Sequence, residues 1–349
     1  MWIKHTAALL ALVSSLGGYR YYRYQFELNN HQHEDETWHE NISCVHEVVL
    51  SLLASTGQKA WLEPAIAAFN NANAAKVRVS VTYAEDRDAL QDLLAGKIKP
   101  TLWSPGAMLW ASRLNRTYTG KTAAGGDLVR WDKPEAARVY LQTSLILLVP
   151  DAATKNAAGA NGRDLVRFSH ANPAATGSGF FTLGVLLDEY RATLDAGDKR
   201  PRKQVAESTG FLQFLRERER RLFYDAASES GTTALTRSFG ENPARYGAVW
   251  TWENTASEDK RGAAFVVRPE TPVIAQQSVV LLDTASVSSD QREAAETLLN
   301  YLATPEAMAF GTKAGFEPAR PADVTETADY DALNAATYQW RRLRIAPAL

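Results

Sequence analysis

EVVLSLLASTG at residues 47–57, KVRVSVTYAED at 76–86 and TLWSPG at 101–106 repeat one pattern. An apolar run meets small, hydroxylated or acidic residues, and a helical periodicity begins. Glu47 to Ala54 is apolar almost without interruption, which suits a strand buried on both faces. Ser55-Thr56-Gly57 breaks it, and Trp61, Leu62, Ile66 and Phe69 then recur at helical spacing. Lys76 to Ala84 reads as a second strand, Asp86 to Leu94 as a helix and Thr101 to Trp103 as a short strand. Ser104-Pro105 is placed to start another helix, with Pro105 in the favoured first position. Strand alternating with helix predicts an α/β fold built on a parallel sheet with helices on its faces.

Outward from this block, the long strand Arg138 to Val149 (RVYLQTSLILLV) opens a second series. A loop rich in Ala, Asn and Gly, Ala152 to Gly162, marks the passage into another lobe. Helices are expected at Ser178 to Asp195, at Ser208 to Arg221 and from near Thr232. Strands are expected at Tyr246 to Trp252, Ala263 to Val267 and Ser278 to Asp283. Three helices follow, Ser289 to Leu302, Pro305 to Lys313 and Tyr330 to Leu343, and no segment repeats another. A chain of 349 residues exceeds one ordinary core, so two domains are the natural expectation.

Composition narrows the function. The chain has 38 basic and 40 acidic residues, well mixed, for a net charge of -2. Nucleic acid is thereby excluded as a main partner, because phosphate-backbone binding needs a clustered excess of Lys and Arg. The nearest basic run, Arg216 to Arg221, is interleaved with Glu217 and Glu219 and reads as a solvated helix face. One cysteine, Cys44, excludes an internal disulfide and a cysteine metal cluster. Near the amino terminus Lys4 precedes AALLALVSSLGG (7–18), the length of a signal-peptide apolar region and too short to span a membrane. Residues 1–23 are thus a signal peptide cleaved near Gly17 to Tyr19, or an uncleaved anchor, and membrane contact is confined to them. Residues 24–46 form a polar linker. Its His31, His33, His39 and His46 match no closed zinc pattern, which favours a tether over a metal site.

Four sites carry the candidate chemistry: Ser55-Thr56-Gly57, Ser104-Pro105-Gly106, Ala175-Thr176-Gly177-Ser178-Gly179 and Ser230-Gly231-Thr232-Thr233. Each places hydroxyls and small residues where a strand feeds a helix. There the first backbone amides lack partners and the helix dipole is positive, so an anion can be gripped. Helix capping explains any one of them as well. Four together, at the strand ends where α/β folds bind ligands, point to a cleft. No phosphate loop, dinucleotide fingerprint or nucleophile elbow occurs, and no cofactor is implied. His170 is the one histidine after residue 46; alone it makes no catalytic triad and reads as a core residue. Trp103, Trp110, Trp250 and Trp252 are candidates for the core or for stacking on a sugar ring.

Four stretches resemble bacterial extracellular solute-binding proteins. LAGKIKPTLWSPGAMLWASRLN (94–115) is most similar to the binding module that often precedes a von Willebrand factor A domain. SHANPAATGSGFFTLGVLL (169–187), AVWTWENTA (248–256) and SDQREAAETLLNYLATPEAMAFGTKAGFEPA (289–319) resemble the second-lobe loop and helix, the hinge-proximal strand and the carboxyl-terminal signature of the wider family. The resemblance implies a two-lobed type 2 periplasmic-binding fold with two hinge crossings. Lobe 1 would be residues 47–145 plus 265–325, lobe 2 residues 146–264, with a carboxyl-terminal helix in 326–349. It places Ser55, Thr56, Ser104, Thr176 and Ser178 in the cleft, and Glu253 and Asn254 near the hinge. It implies a monomeric, non-enzymatic receptor, periplasmic or extracellular, that closes on a small ligand such as an oxyanion and serves an ABC permease. The alternative is a membrane-tethered sensor or interaction module without a transport role.

Overall fold

The computed structural model describes residues 47–120, 122, 125–157, 167–258, 265–320 and 329–345. The expected signal peptide or anchor, the His-rich linker and Cys44 lie outside the described residues.

The apolar run at Val48–Ser55 is strand β1, and it is central because both edges are paired. β2 (Val77–Ala84) and β3 (Leu102–Ser104) flank it, each parallel to it. Helix α1 (Lys59–Ala72) crosses from β1 to β2, burying Trp61, Leu62, Ala65, Ile66 and Phe69, and α2 (Asp86–Leu94) crosses towards β3. Burial of the Val, Ile, Leu and Phe side chains in these elements supplies roughly 1.5–3 kcal/mol each.

The organising element is β4 (Ala137–Val149), whose 13 residues thread two sheets. Residues 137–144 pair antiparallel with β7 (Ile274–Leu281), which continues to β3. Leu145–Leu148 pair instead with β5 (Val249–Trp252), and Leu147–Val149 also with β6 (Phe265–Val267). The change falls at Ser144/Leu145, beside Val273, whose carbonyl accepts the Leu145 amide at 2.8 Å. β8 (Glu317–Pro318) closes on Leu141 and Gln142.

The sheet is therefore mixed, where the strand–helix alternation predicts a parallel one. Only β1–β2 and β1–β3 have the intervening helix that returns a chain in the same sense. β7 enters from the other sheet and runs opposite to both neighbours. Phe265–Val267, which the resemblance puts in the lobe opposite Leu147–Val149, pair with those residues. The helix expected at Ser104-Pro105 begins instead at Met108 (α3, Met108–Thr117). The Ser104 hydroxyl donates to the Ser278 carbonyl and the Pro105 carbonyl accepts from Gln58, so tertiary contacts hold this segment extended.

Around the second sheet pack α4 (Gly177–Arg191), α5 (Arg202–Ala206), α6 (Thr209–Glu219), α7 (Thr232–Glu241) and α8 (Glu253–Glu258). α9 (Ser289–Leu302) and α10 (Pro305–Lys313) return to the first. The last helix, α11 (Tyr330–Ile345), lies on α4, α5 and α6, with Ala332, Ala336 and Trp340 in one core with Leu183, Leu187 and Phe211. Arg218, read from sequence as solvated, is buried beside Glu189 and the Phe168 ring. His170 is a satisfied core residue, its ring nitrogens 2.9 Å from the Ala171 carbonyl and 3.1 Å from Glu219.

Gly179 marks the tightest join of α4 to the loop before it. A Cβ there would stand 2.1 Å from the Ala171 carbonyl oxygen and 2.8 Å from the Pro173 nitrogen. We expect Gly179→Ala to destabilise the protein by about 1–3 kcal/mol, the usual range for overpacking. Gly197→Ala, where nothing lies within 4 Å, should change stability by less than about 0.5 kcal/mol. Urea unfolding of the two variants tests this, and equal midpoints would refute it.

Candidate functional site

Strand ends from both halves of the molecule converge on one cavity of about 270 Å³. From the first half come Ser55, Thr56 and Gly57 at the end of β1, Glu85 and Asp86 at the end of β2, and Gly106 beyond β3. The second half contributes Gly177 and Phe181 of α4, Ser230 to Thr233 at the start of α7, and Trp252, Asn254 and Thr255 at the end of β5. Thr143 and Gln277, on the strands that join the halves, form the back.

Hydrogen bonds fix this back wall. Gln58 donates to the Pro105 carbonyl at 3.1 Å and to Gln277 Oε1 at 2.8 Å, and Gln277 Nε2 donates to the Gly106 carbonyl at 2.9 Å. Thr143 Oγ1 donates to Asn254 Oδ1 at 3.0 Å and accepts the Asn254 amide at 3.2 Å.

Two helix starts face the cavity without a side-chain cap. Thr56 and Gly57 open the single turn Thr56–Gln58 that runs into α1, and its preceding residue Ser55 caps nothing. Gly231, with φ 120° and no side chain to offer, precedes α7, so the first α7 amides have no side-chain acceptor. These amides carry the positive end of the helix dipole. α4 differs, because Thr176 Oγ1 accepts the Gly179 amide and closes its start. Trp110, 1% exposed, stands in the wall, and its indole N–H is buried without a partner.

Of the residues expected in the cleft, Ser55, Thr56 and Asn254 line the cavity. Ser104, Thr176, Ser178 and Glu253 do not line it. The oxygens of Ser104 and Thr176 serve the backbone, Ser178 Oγ lies 2.6 Å from Thr232 Oγ1, and Glu253 pairs with Arg268. The Thr56 hydroxyl is also committed, donating to Glu85 Oε1 at 2.6 Å.

Sequence reasoning missed the two carboxyls, Glu85 and Asp86. The signal was their place directly after a strand, where the other lining residues also lie. Asp86 is 4% exposed and its Oδ1 accepts the Gly106 amide at 2.8 Å. Burial, against that bond, pushes its pKa up to about 7, with the Glu85 charge adding and the Ser55 hydroxyl opposing. Glu85 is raised too, by burial first and the nearby Asp88 charge, against the Thr56 bond. These are the two charged residues in the lining, with no Lys, Arg or His among the described residues there. Like charges about 4 Å apart would repel by about 4 kcal/mol at an effective dielectric of about 20. The cavity thus offers neutral donors and tolerates little added negative charge beside an ionised Asp86.

A family model of bacterial extracellular solute-binding proteins matches residues 50–317. Among solved structures, the sulfate-binding protein SubI from Mycobacterium tuberculosis H37Rv is similar at a TM-score of 0.54 and 18% identity, covering 86% of this chain and 93% of its own. The periplasmic binding protein AfuA from Actinobacillus pleuropneumoniae, solved with exogenous fructose-6-phosphate bound, is similar at 0.52 and 12%, covering 84% and 95%. No curated protein matches the chain by sequence.

Asp86 gives a prediction for the unliganded protein. Its folded pKa of about 7 lies above its ordinary 3.8, so between them the folded chain holds a proton that the unfolded chain has released. Its contribution to stability therefore declines as pH rises from about 4 to about 7 and is level above that. Asp86→Asn should remove this decline, making the variant progressively more stable than the parent across the window. Calorimetric melting at stepped pH measures the difference, and a constant offset would refute the assignment.

Proposed function

The chain belongs to the bacterial extracellular solute-binding proteins, and we propose that it is a receptor that closes on one small oxyanion and delivers it unaltered to an ABC-type importer. The observation that carries this reading is the pair of uncapped helix starts, at Thr56-Gly57 and Gly231-Thr232, presented by opposite halves to one cavity. Backbone amides at helix starts bind anions through aligned dipoles and need no cationic side chain. A site divided between two halves is complete only when they meet, so ligand favours the closed form. The sulfate ligand named for SubI agrees with this chemistry, as does the phosphate sugar named for AfuA.

The family supports a binding role rather than catalysis. The family places the chain in the periplasm or outside the cell. We further assign it, from residues 94–115, to the modules that precede von Willebrand factor A domains, and infer that it works as a monomer held or released through its amino terminus.

Thermal shift tests the ligand class. An oxyanion at a hundred times its dissociation constant adds about 2.7 kcal/mol of stability, a rise of several degrees in Tm. If sulfate, molybdate and inorganic phosphate all leave Tm unchanged at millimolar concentration while a sugar or peptide raises it, the oxyanion reading is wrong. The amide contribution has its own test. Thr232→Pro removes the first α7 amide while keeping a backbone that proline accepts. Thr232→Val removes only the hydroxyl contact with Ser178. We expect the proline variant to bind the anion about ten- to a hundredfold more weakly than the valine variant by calorimetry, the value of a charge-assisted hydrogen bond. Equal affinities would exclude that amide from the site.

A further inference from the structure

We propose that the carboxyl-terminal helix α11 is a counterbalanced strap between the halves: the second half carries it, Arg113 fastens it to the first half and favours closure, and Arg87 opposes closure. The inference concerns the unliganded receptor and goes beyond the oxyanion reading, because it holds for any ligand.

One face of α11 belongs to the second half. Ala332, Ala336 and Trp340 share a core with Leu183, Leu187 and Phe211. Gln339 Nε2 donates to the Glu207 carbonyl at 3.2 Å, and the Trp340 indole donates to Glu219 Oε2 at 3.0 Å. The other face meets the first half on the flank of the cavity. Tyr330 stands edge-on to Trp110 with ring centres 5.7 Å apart, and Tyr330 and Leu333 share a core with Leu90 and Leu93 of α2. Two arginines of the first half reach the start of the helix. Arg113 of α3 donates to Asp331 Oδ1 at 3.1 Å and lies 4.8 Å over the Tyr330 ring. Arg87 of α2 donates to Asn334 Oδ1 at 3.1 Å.

The halves are joined at the back of the cavity, where β4 changes sheets at Ser144/Leu145. Rotation about that point parts the flank, so both arginine contacts break on opening while the α11 core on the second half persists.

The two arginines differ in what replaces their water on closing. Arg113 is partly exposed and gains a carboxylate and a ring face. Arg87 gains one neutral amide oxygen. Its Nε and Nη1 are buried without a hydrogen-bond partner, and it makes no ion pair among the described residues. Burial first, and then the Arg341 charge, lowers its pKa, with Tyr330 and Asp88 opposing. Arg341 follows Asn334 by two turns on the same face of α11. A guanidinium stays charged, and its buried donors without acceptors cost more than an exposed ion pair contributes. Closing therefore gains at Arg113 and loses at Arg87 within one turn of α11. A strap balanced in this way keeps the closed form a minority that ligand raises, and the apparent affinity scales with the closed fraction.

The test is the distance between spin labels on the unliganded full chain, at the exposed Glu63→Cys on α1 and Glu241→Cys on α7, with Cys44→Ser. Expected for the parent is a major long and a minor short distance. Arg113→Met and Asp331→Asn should each lower the short-to-long ratio about two- to fivefold, the reach of an exposed ion pair. Combined, they should lower it no further than Arg113→Met alone. Arg87→Met keeps the apolar stem, removes the charge and should raise the ratio about fivefold or more. Each variant is checked as folded by its melting point. A ratio unchanged by Arg113→Met and Asp331→Asn, or lowered by Arg87→Met, would overturn the strap and leave the oxyanion reading standing.

Discussion

The backbone hydrogen bonds of β4 are divided between two sheets, and the rest of the structure depends on that division. Residues 137–144 are committed to β7, while Leu145 onward is committed to β5 and β6. A buried strand cannot leave its amides and carbonyls unpaired, so each sheet must form on its own stretch of β4. The pairing partner changes within one residue, between Ser144 and Leu145. Thr143, one position before the change, bonds Asn254 of the second half, and Gln277 bonds Gly106 of the first. The back wall of the cleft is therefore the same few residues that join the halves. A cavity placed there narrows when the halves approach, which is the geometry that a closing receptor requires.

The electrostatics of the cavity follow from what fills its wall. Its donors are amides at helix starts and hydroxyls, all neutral, and its charged residues are both acids. Neutral donors fixed by the fold bind a charged oxygen without the reorganisation that a long basic side chain needs. Their total is finite, and every ionised carboxylate nearby subtracts from it.

Trp110 links the cavity to the outer contacts of the molecule. Its ring stands 4.9 Å from Phe180 of α4 and 5.7 Å from Tyr330 of α11. Arg113, one turn further along α3, bonds Asp331 at 3.1 Å and lies over the Tyr330 ring. α11 otherwise packs on helices of the second half. It thus spans from α4, α5 and α6 to α3, and holds the wall that carries the indole against the opposite half.

Much of this was legible in the residues. The apolar runs located β1, β2 and β4 to within one residue, and the helical reading located α9 and α10 without error. These are local properties, set by side-chain period and capping chemistry a few residues apart. The hydroxyl-rich strand ends identified Ser55, Thr56 and the Ser230–Thr233 start as parts of one cleft, because in α/β folds such ends gather on one side. Strand direction in the second sheet, the late start of α3 and the identity of the free oxygens were decided by tertiary structure. Ser104 stands outside the cavity lining with its hydroxyl bonded to the carbonyl of Ser278, far along the chain, and Thr176 does so while capping α4. Asp86 reads in sequence as an ordinary acid in the first turn of a helix. Only the fold buries it beside the Gly106 amide and so raises its pKa.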